Sequence, residues 1–201
     1  MLNEKFVILG AILGFLGALS YLIDTLKGKT KPNRVSWFIW ALAPLIAFTA
    51  EIKQGVGLQA LMTFMVGFNP FLIFLASFVN KKAVSKISRL DLVCGGLSIT
   101  GLIFWQMTQV GNIAIAFSIF SDALAGVPTI IKAYKFPETE NYQVFLMANL
   151  NALITLLTIK VWNFEHYAFP IYIFLICFLL FVLIKFKLGK KCCLSWPPER
   201  Q

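Results

Sequence analysis

Seven apolar runs, each bounded by polar or basic residues, divide this chain of 201 residues. They extend from Phe6 to Leu26, Val35 to Ala50, Val56 to Val79, Leu92 to Met107, Val110 to Ile131, Val144 to Val161 and Ala168 to Ile184. At 1.5 Å of rise per residue, about 20 residues cross a hydrocarbon core of about 30 Å, and most of the runs approach that length. The pattern predicts an all-α integral membrane protein with seven transmembrane helices, the second and fourth being the shortest.

Composition sharpens this reading. The chain is 59% hydrophobic and 13% charged, too apolar for an ordinary soluble domain of its size. A net charge of +9 would suggest nucleic acid as the partner of a soluble protein, but here its division between loops carries the information. Seven spans put 15 of the 18 basic residues on one side: Lys27, Lys29, Lys31 and Arg34, then Lys81, Lys82, Lys86 and Arg89, then Lys132 and Lys135, then Lys185, Lys187, Lys190, Lys191 and Arg200. Only Lys5, Lys53 and Lys160 fall on the other. Basic loops stay cytoplasmic, so the N-terminus is expected outside and the C-terminus inside, in a plasma or inner membrane, with lipid and not nucleic acid as surroundings.

The opening "MLNEKFVILGAILGFLGALSYLIDTL" has a weak basic region and a long apolar stretch, and reads as an uncleaved first helix. Cys94 and Cys177 lie within spans, while Cys192 and Cys193 follow the last one on the reducing side, as tail thiols or as a palmitoylation site beside a basic segment.

The third and seventh runs repeat one another. "NPFLIFLASF" at 69 to 78 matches "FPIYIFLICF" at 169 to 178 without a gap, with Pro70 on Pro170. At an offset of 105, "TLKGKTKPNRVSW" from 25 to 37 meets "IIKAYKFPETENY" from 130 to 142, with Lys27 on Lys132, Pro32 on Pro137, Trp37 on Tyr142 and, further on, Trp40 on Phe145. Three spans per repeat and one span between them give the two repeats the same orientation, so they are parallel. The expected organisation is a first three-helix repeat over 1–80, a loop and linker helix over 81–109, a second repeat over 110–186 and a basic cytoplasmic tail over 187–201.

On these features the chain resembles the PQ-loop and SWEET superfamily of small-solute transporters, from about Phe6 to Phe186. The Pro-Gln dipeptide of that family is represented by Pro32-Asn33 and Pro137-Glu138. "WFIW" and "NLN" are similar to the aromatic and asparagine-bearing helices of bacterial nicotinamide riboside transporters, which share the helix arrangement. The resemblance implies two parallel three-helix bundles joined by a linking helix (3+1+3) and the transport of a sugar, amino acid or vitamin-like solute.

Transport needs a polar site near the midplane. Asp122, in "FSIFSDALAGVP", shares a helical face with Ser118, Ala125, Gly126 and Thr129, while bulky residues take the other faces. A carboxylate at that depth costs at least about 2.5 kcal/mol unless it faces protein or water. Two uses remain open: a proton acceptor or partner for a cationic solute, and a hydrogen-bonding tie between helices. Asn149, on a stripe with Phe145, Ala152 and Leu156, is the expected pore asparagine, and Asn151 the helix tie. Asn69 serves either the solute or the backbone freed by Pro70.

Trp37 and Trp40, one helical turn apart, are interfacial anchors or walls for a ring-shaped solute. Tyr21 follows a small-residue stripe of Gly10, Gly14 and Gly17 suited to close packing, and joins the candidate site. Pro44, Pro70, Pro128 and Pro170 interrupt four spans and are candidate hinges.

Enzyme chemistry is not expected. The one histidine, His166, lies beside Glu165 in an outer loop with nothing to complete a metal site, and no glycine-rich phosphate loop occurs, so no cofactor is called for. The expected partner is a small-molecule substrate, and a homo-oligomer is compatible with the pattern. The competing class is a seven-helix sorting or ligand receptor of related fold that binds without transporting.

Overall fold

The computed structural model describes residues 2–80, 85–108 and 110–189, with the side chains of residue 101 and of 104–108 left aside. Lys81, Lys82, Lys190, Lys191, Arg200, Cys192 and Cys193 lie outside the described residues, as does nearly all of the expected tail. The described residues form seven α-helices and no strands: α1 (Phe6–Leu26), α2 (Arg34–Lys53), α3 (Ala60–Ala76), α4 (Arg89–Thr108), α5 (Gly111–Lys135), α6 (Tyr142–Thr158) and α7 (Phe164–Phe186). Five of them, α1, α2, α3 with its preceding turn, α5 and α7, are long and apolar enough to cross a membrane.

Helix ends follow local chemistry. Gly28 takes φ 73° just past α1, and the N–H of Lys29 bonds back to the carbonyl of Asp24 at 2.8 Å, so the chain leaves the helix in a left-handed turn that glycine permits. Asn33 caps α2, its side-chain oxygen accepting the N–H groups of Val35 and Ser36. Asn141 caps α6 in the same way by accepting the N–H of Gln143 at 2.8 Å. These caps, at 33 and 141, are 108 positions apart, not the expected 105. The 3₁₀ turn Pro137–Thr139 takes up the three additional residues, and it moves Trp37 out of register with Tyr142.

Successive helices along the chain alternate in direction. The start of α6 meets the end of α1, where Asn141 donates to Asp24 at 2.7 Å. The start of α2 meets the later part of α5, where Ser36 donates to the Ala125 carbonyl at 2.6 Å. The connections α1–α2, α3–α4 and α5–α6 therefore lie at one end of the molecule with the C-terminus of α7. That basic end carries Lys27, Lys29, Lys31, Arg34, Lys86, Arg89, Lys132, Lys135, Lys185 and Lys187, and the opposite end Lys5, Lys53 and Lys160.

Six helices close a circuit: α1 packs on α3, α3 on α2, α2 on α5, α5 on α7, α7 on α6, and α6 back on α1. The last contact uses the small stripe of α1. A Cβ on Gly10 would stand 2.5 Å from the Asn151 Oδ1, and one on Gly17 would stand 2.6 Å from the Cβ of Met147. Only glycine admits this approach. Helix α4 stays outside the circuit, across the α2–α5 seam. Ser98 and Ser121 fix it there, each hydroxyl donating to the other's backbone carbonyl, at 2.7 and 2.9 Å.

Polarity is turned inside out. The outward positions of α1 include Ile8, Leu9, Ile12, Leu16, Leu19 and Ile23, all exposed, whereas Ser36, Glu51, Thr63, Ser118, Ser121, Asp122, Asn151 and Thr155 are buried. Such an arrangement suits hydrocarbon outside and helix-to-helix hydrogen bonds within.

Candidate functional site

Inside the six-helix circuit lies a cavity of about 70 Å³. Helix α1 contributes Gly14, α2 contributes Trp37 and Trp40, and α3 contributes Val66, Asn69 and Pro70. Asp122 comes from α5, Val144, Phe145, Ala148 and Asn151 from α6, and Ile173, Ile176, Cys177 and Leu180 from α7. Of the residues expected at a site, Asp122, Trp37, Trp40, Asn69 and the hinge candidate Pro70 meet here. The remaining hinge candidates, Pro44, Pro128 and Pro170, are buried within α2, α5 and α7 but do not line the cavity.

Asp122 is 3% exposed and held on one side only. Its Oδ2 accepts the hydroxyl of Tyr172 from α7 at 2.6 Å, its backbone carbonyl accepts the indole N–H of Trp40 at 3.1 Å, and its Oδ1 has no protein partner. The Asn69 Oδ1 is a second buried, unpaired acceptor on the wall; the Asn151 Oδ1 is unpaired too but lies against Gly10 of α1, and the Trp37 indole is turned to the Tyr21 hydroxyl. Unpaired buried polar atoms are costly, and the Asp122 and Asn69 oxygens are two acceptors of this kind on one cavity wall.

Aromatic rings form one wall. Tyr21 and Trp37 stand 4.7 Å apart between ring centroids, Trp37 and Trp40 meet edge to face at 5.3 Å, and Trp40 meets Phe145 edge to face at 6.3 Å. Trp37 is 2% and Trp40 7% exposed, so neither is an interfacial anchor. Both sit inside the bundle.

The other expected residues fall elsewhere. Asn149 does not line the cavity; its amide donates to the Phe174 carbonyl of α7 at 2.6 Å and ties α6 to α7. Asn151 occupies the cavity side of α6 and also seats against Gly10 and Gly14. Asn149 thus ties helices instead of lining the cavity, while Asn151 packs α6 on α1 as expected and reaches the cavity as well. They are two positions apart, about 200° around the helix, and which side faces inward depends on where α1 packs. Ser118 is fully buried with its hydroxyl unpaired, away from the cavity wall.

Tyr21 lies one layer below, toward the basic end. Its hydroxyl donates to Glu140 Oε2 at 2.7 Å, and Glu140 Oε1 takes the ammonium of Lys132 at 2.6 Å. Lys132 also donates to the Lys31 carbonyl. This closed cluster ties α1, the α1–α2 loop, α5 and the start of α6 together beneath the cavity. Beside it Ser20, Asp24, Asn141 and Gln143 form a second set of hydrogen bonds between α1 and α6.

Tyr172, Asn151 and Glu140 escape a reading of the sequence for site residues. A tyrosine in an apolar span reads as hydrophobic, and Glu140 sits in a loop where charges are ordinarily solvated. No family model, no curated protein and no solved structure matches this chain.

Proposed function

We propose that the chain is a membrane transporter that carries a small polar solute by alternating access between two parallel three-helix repeats, α1–α3 and α5–α7, with α4 as the linker. The observation that carries this reading is the cavity: all six helices of the two repeats contribute to its wall, and a buried carboxylate with one oxygen unused faces it.

The helix contacts support the repeat. Exchanging α1, α2 and α3 for α5, α6 and α7 turns the α1–α3 contact into α5–α7, α2–α3 into α6–α7, and α1–α6 into α5–α2, so every contact of the circuit has its counterpart. Helices related by the exchange run in the same direction, as parallel repeats require and as in the PQ-loop and SWEET superfamily that the sequence resembles. The solute binds against Asp122, whose charge is balanced by the solute or by a proton. Rocking of the repeats about Pro44, Pro70, Pro128 and Pro170 then opens the cavity to one side or the other. The Tyr21–Glu140–Lys132 cluster closes it toward the basic end, which the excess of lysine assigns to the cytoplasm.

Counterflow in proteoliposomes tests this. Sugars, amino acids, polyamines and vitamins are screened by thermal shift, and a radiolabelled hit should accumulate against unlabelled solute inside vesicles that hold the protein, and not in empty ones. A hit that binds without exchanging makes the chain a receptor and overturns the transport reading. For orientation, cysteines introduced near Asn3 and Lys53 should react with an impermeant reagent from outside, and those near Lys29 and Lys86 should not.

A further inference from the structure

The cavity wall is selective in what it lacks. Among its lining residues there is no lysine, arginine or histidine, so an anionic solute would meet Asp122 with nothing to offset the repulsion. A polyol fares little better. Each hydroxyl needs partners, and most of the wall is hydrocarbon: Val66, Val144, Ile173, Ile176 and Leu180 offer none.

What the wall does offer is complementary to a cation. Asp122 Oδ1 and Asn69 Oδ1 are unpaired acceptors on residues 3% and 8% exposed, and an ammonium group carries three donors and no acceptor. Tyr172 holds the other oxygen of Asp122 at 2.6 Å and so fixes the carboxylate. The rings of Trp40 and Phe145 line the same cavity, and aromatic faces attract a desolvated cation. At about 30 Å³ per packed water, 70 Å³ is the room of about two waters, so the solute that fills it is small, with a body of a few carbons.

Resting on the reading of this cavity as the transport site, we infer that its solute is a compact organic monocation, an alkylammonium with an apolar body, held by Asp122 and Asn69. Sugars and carboxylic acids are excluded.

Four probes test this on the purified full-length protein by fluorescence-detected melting and titration. Isoamylamine, isoamyl alcohol and isovalerate share one branched body and differ in charge, and glucose is the polyol. Isoamylamine should bind roughly tenfold or more tighter than the alcohol, the value of one charge-assisted hydrogen bond. Isovalerate and glucose should not shift the melt. Asp122→Asn should bring amine and alcohol to equal affinity. Ala148→Phe, which leaves the carboxylate in place and fills the cavity from α6, should abolish amine binding and serves if Asp122→Asn does not fold.

Isovalerate or glucose binding as tightly as the amine would overturn the inference, as would an amine preference that survives Asp122→Asn or binding unchanged by Ala148→Phe. Counterflow separates the two levels. Amine binding without exchange removes the transport reading and keeps the ligand class, whereas glucose exchange without amine binding keeps transport and removes the cation.

Discussion

Replacing Glu140 by alanine should be among the most damaging single changes outside the cavity. The Glu140 side chain is fully buried and that of Lys132 is 13% exposed, and the carboxylate satisfies two groups at once, the Lys132 ammonium at 2.6 Å and the Tyr21 hydroxyl at 2.7 Å. Alanine leaves the ammonium with the Lys31 carbonyl alone and the buried hydroxyl without an acceptor. Removing one partner of a buried ion pair costs about 3–5 kcal/mol, and the partial exposure of Lys132 favours the lower figure, about 3 kcal/mol. For a chain of about 200 residues that corresponds to a drop in Tm of roughly 6–12 °C. Glu140→Gln keeps an acceptor and a donor in place and loses only the charge, so it should fall between alanine and wild type. Lys132→Met strands the carboxylate instead, and the double variant Lys132→Met/Glu140→Gln should cost at least about 1 kcal/mol less than the two single changes together, because the groups are in direct contact. Melting curves of the wild type and the four variants in one detergent provide the measurement. A Glu140→Ala protein that melts within about 2 °C of wild type, or strict additivity in the double variant, would show that the cluster does not hold the basic end together.

Two further outcomes concern the α1–α6 contact and access to the cavity. Gly17→Ala forces Met147 and the α6 backbone away from α1 and should destabilise by about 1–3 kcal/mol, whereas Gly96→Ala on α4, where a Cβ meets nothing within 4 Å, should be neutral or stabilise by up to about 1 kcal/mol; paired melting curves check the contrast. Cys177 lines the cavity, so with Cys94, Cys192 and Cys193 replaced by serine it should react slowly with a thiol reagent added from the basic end, and Glu140→Ala should speed that reaction; equal rates would mean that the cluster does not occlude the cavity.

The spans were legible because hydrocarbon length is a one-dimensional constraint: α1 has the bounds expected from its apolar run. The ends of α5 were not. Its apolar run stops at Ile131, but the helix continues to Lys135, and the Lys132 ammonium turns back to the Glu140 carboxylate, which offsets the hydration it loses. Asp122 and Asn69 stood out as polar residues where none is free of cost, and their position inside the bundle follows from that expense. Neighbour choice resisted prediction. Whether Asn149 or Asn151 faces inward, and whether Glu140 is solvated or sealed, depends on where α1 sits against α6, and the contact is made by residues as distant as Ser20 and Gln143, 123 positions apart.

That separation sets a timetable for synthesis. At about 5–20 residues per second, roughly 6–25 s pass between the emergence of Ser20 and that of Gln143. Throughout that interval the glycine stripe of α1 has no α6 to pack against, and the N-terminal helices carry a bare seam open to any small-residue helix nearby. The circuit can close only after α6 is inserted, and its last joint joins the earliest helix to one of the latest. A premature stop before Tyr142 would therefore yield not a smaller stable bundle but a ring left open at α1.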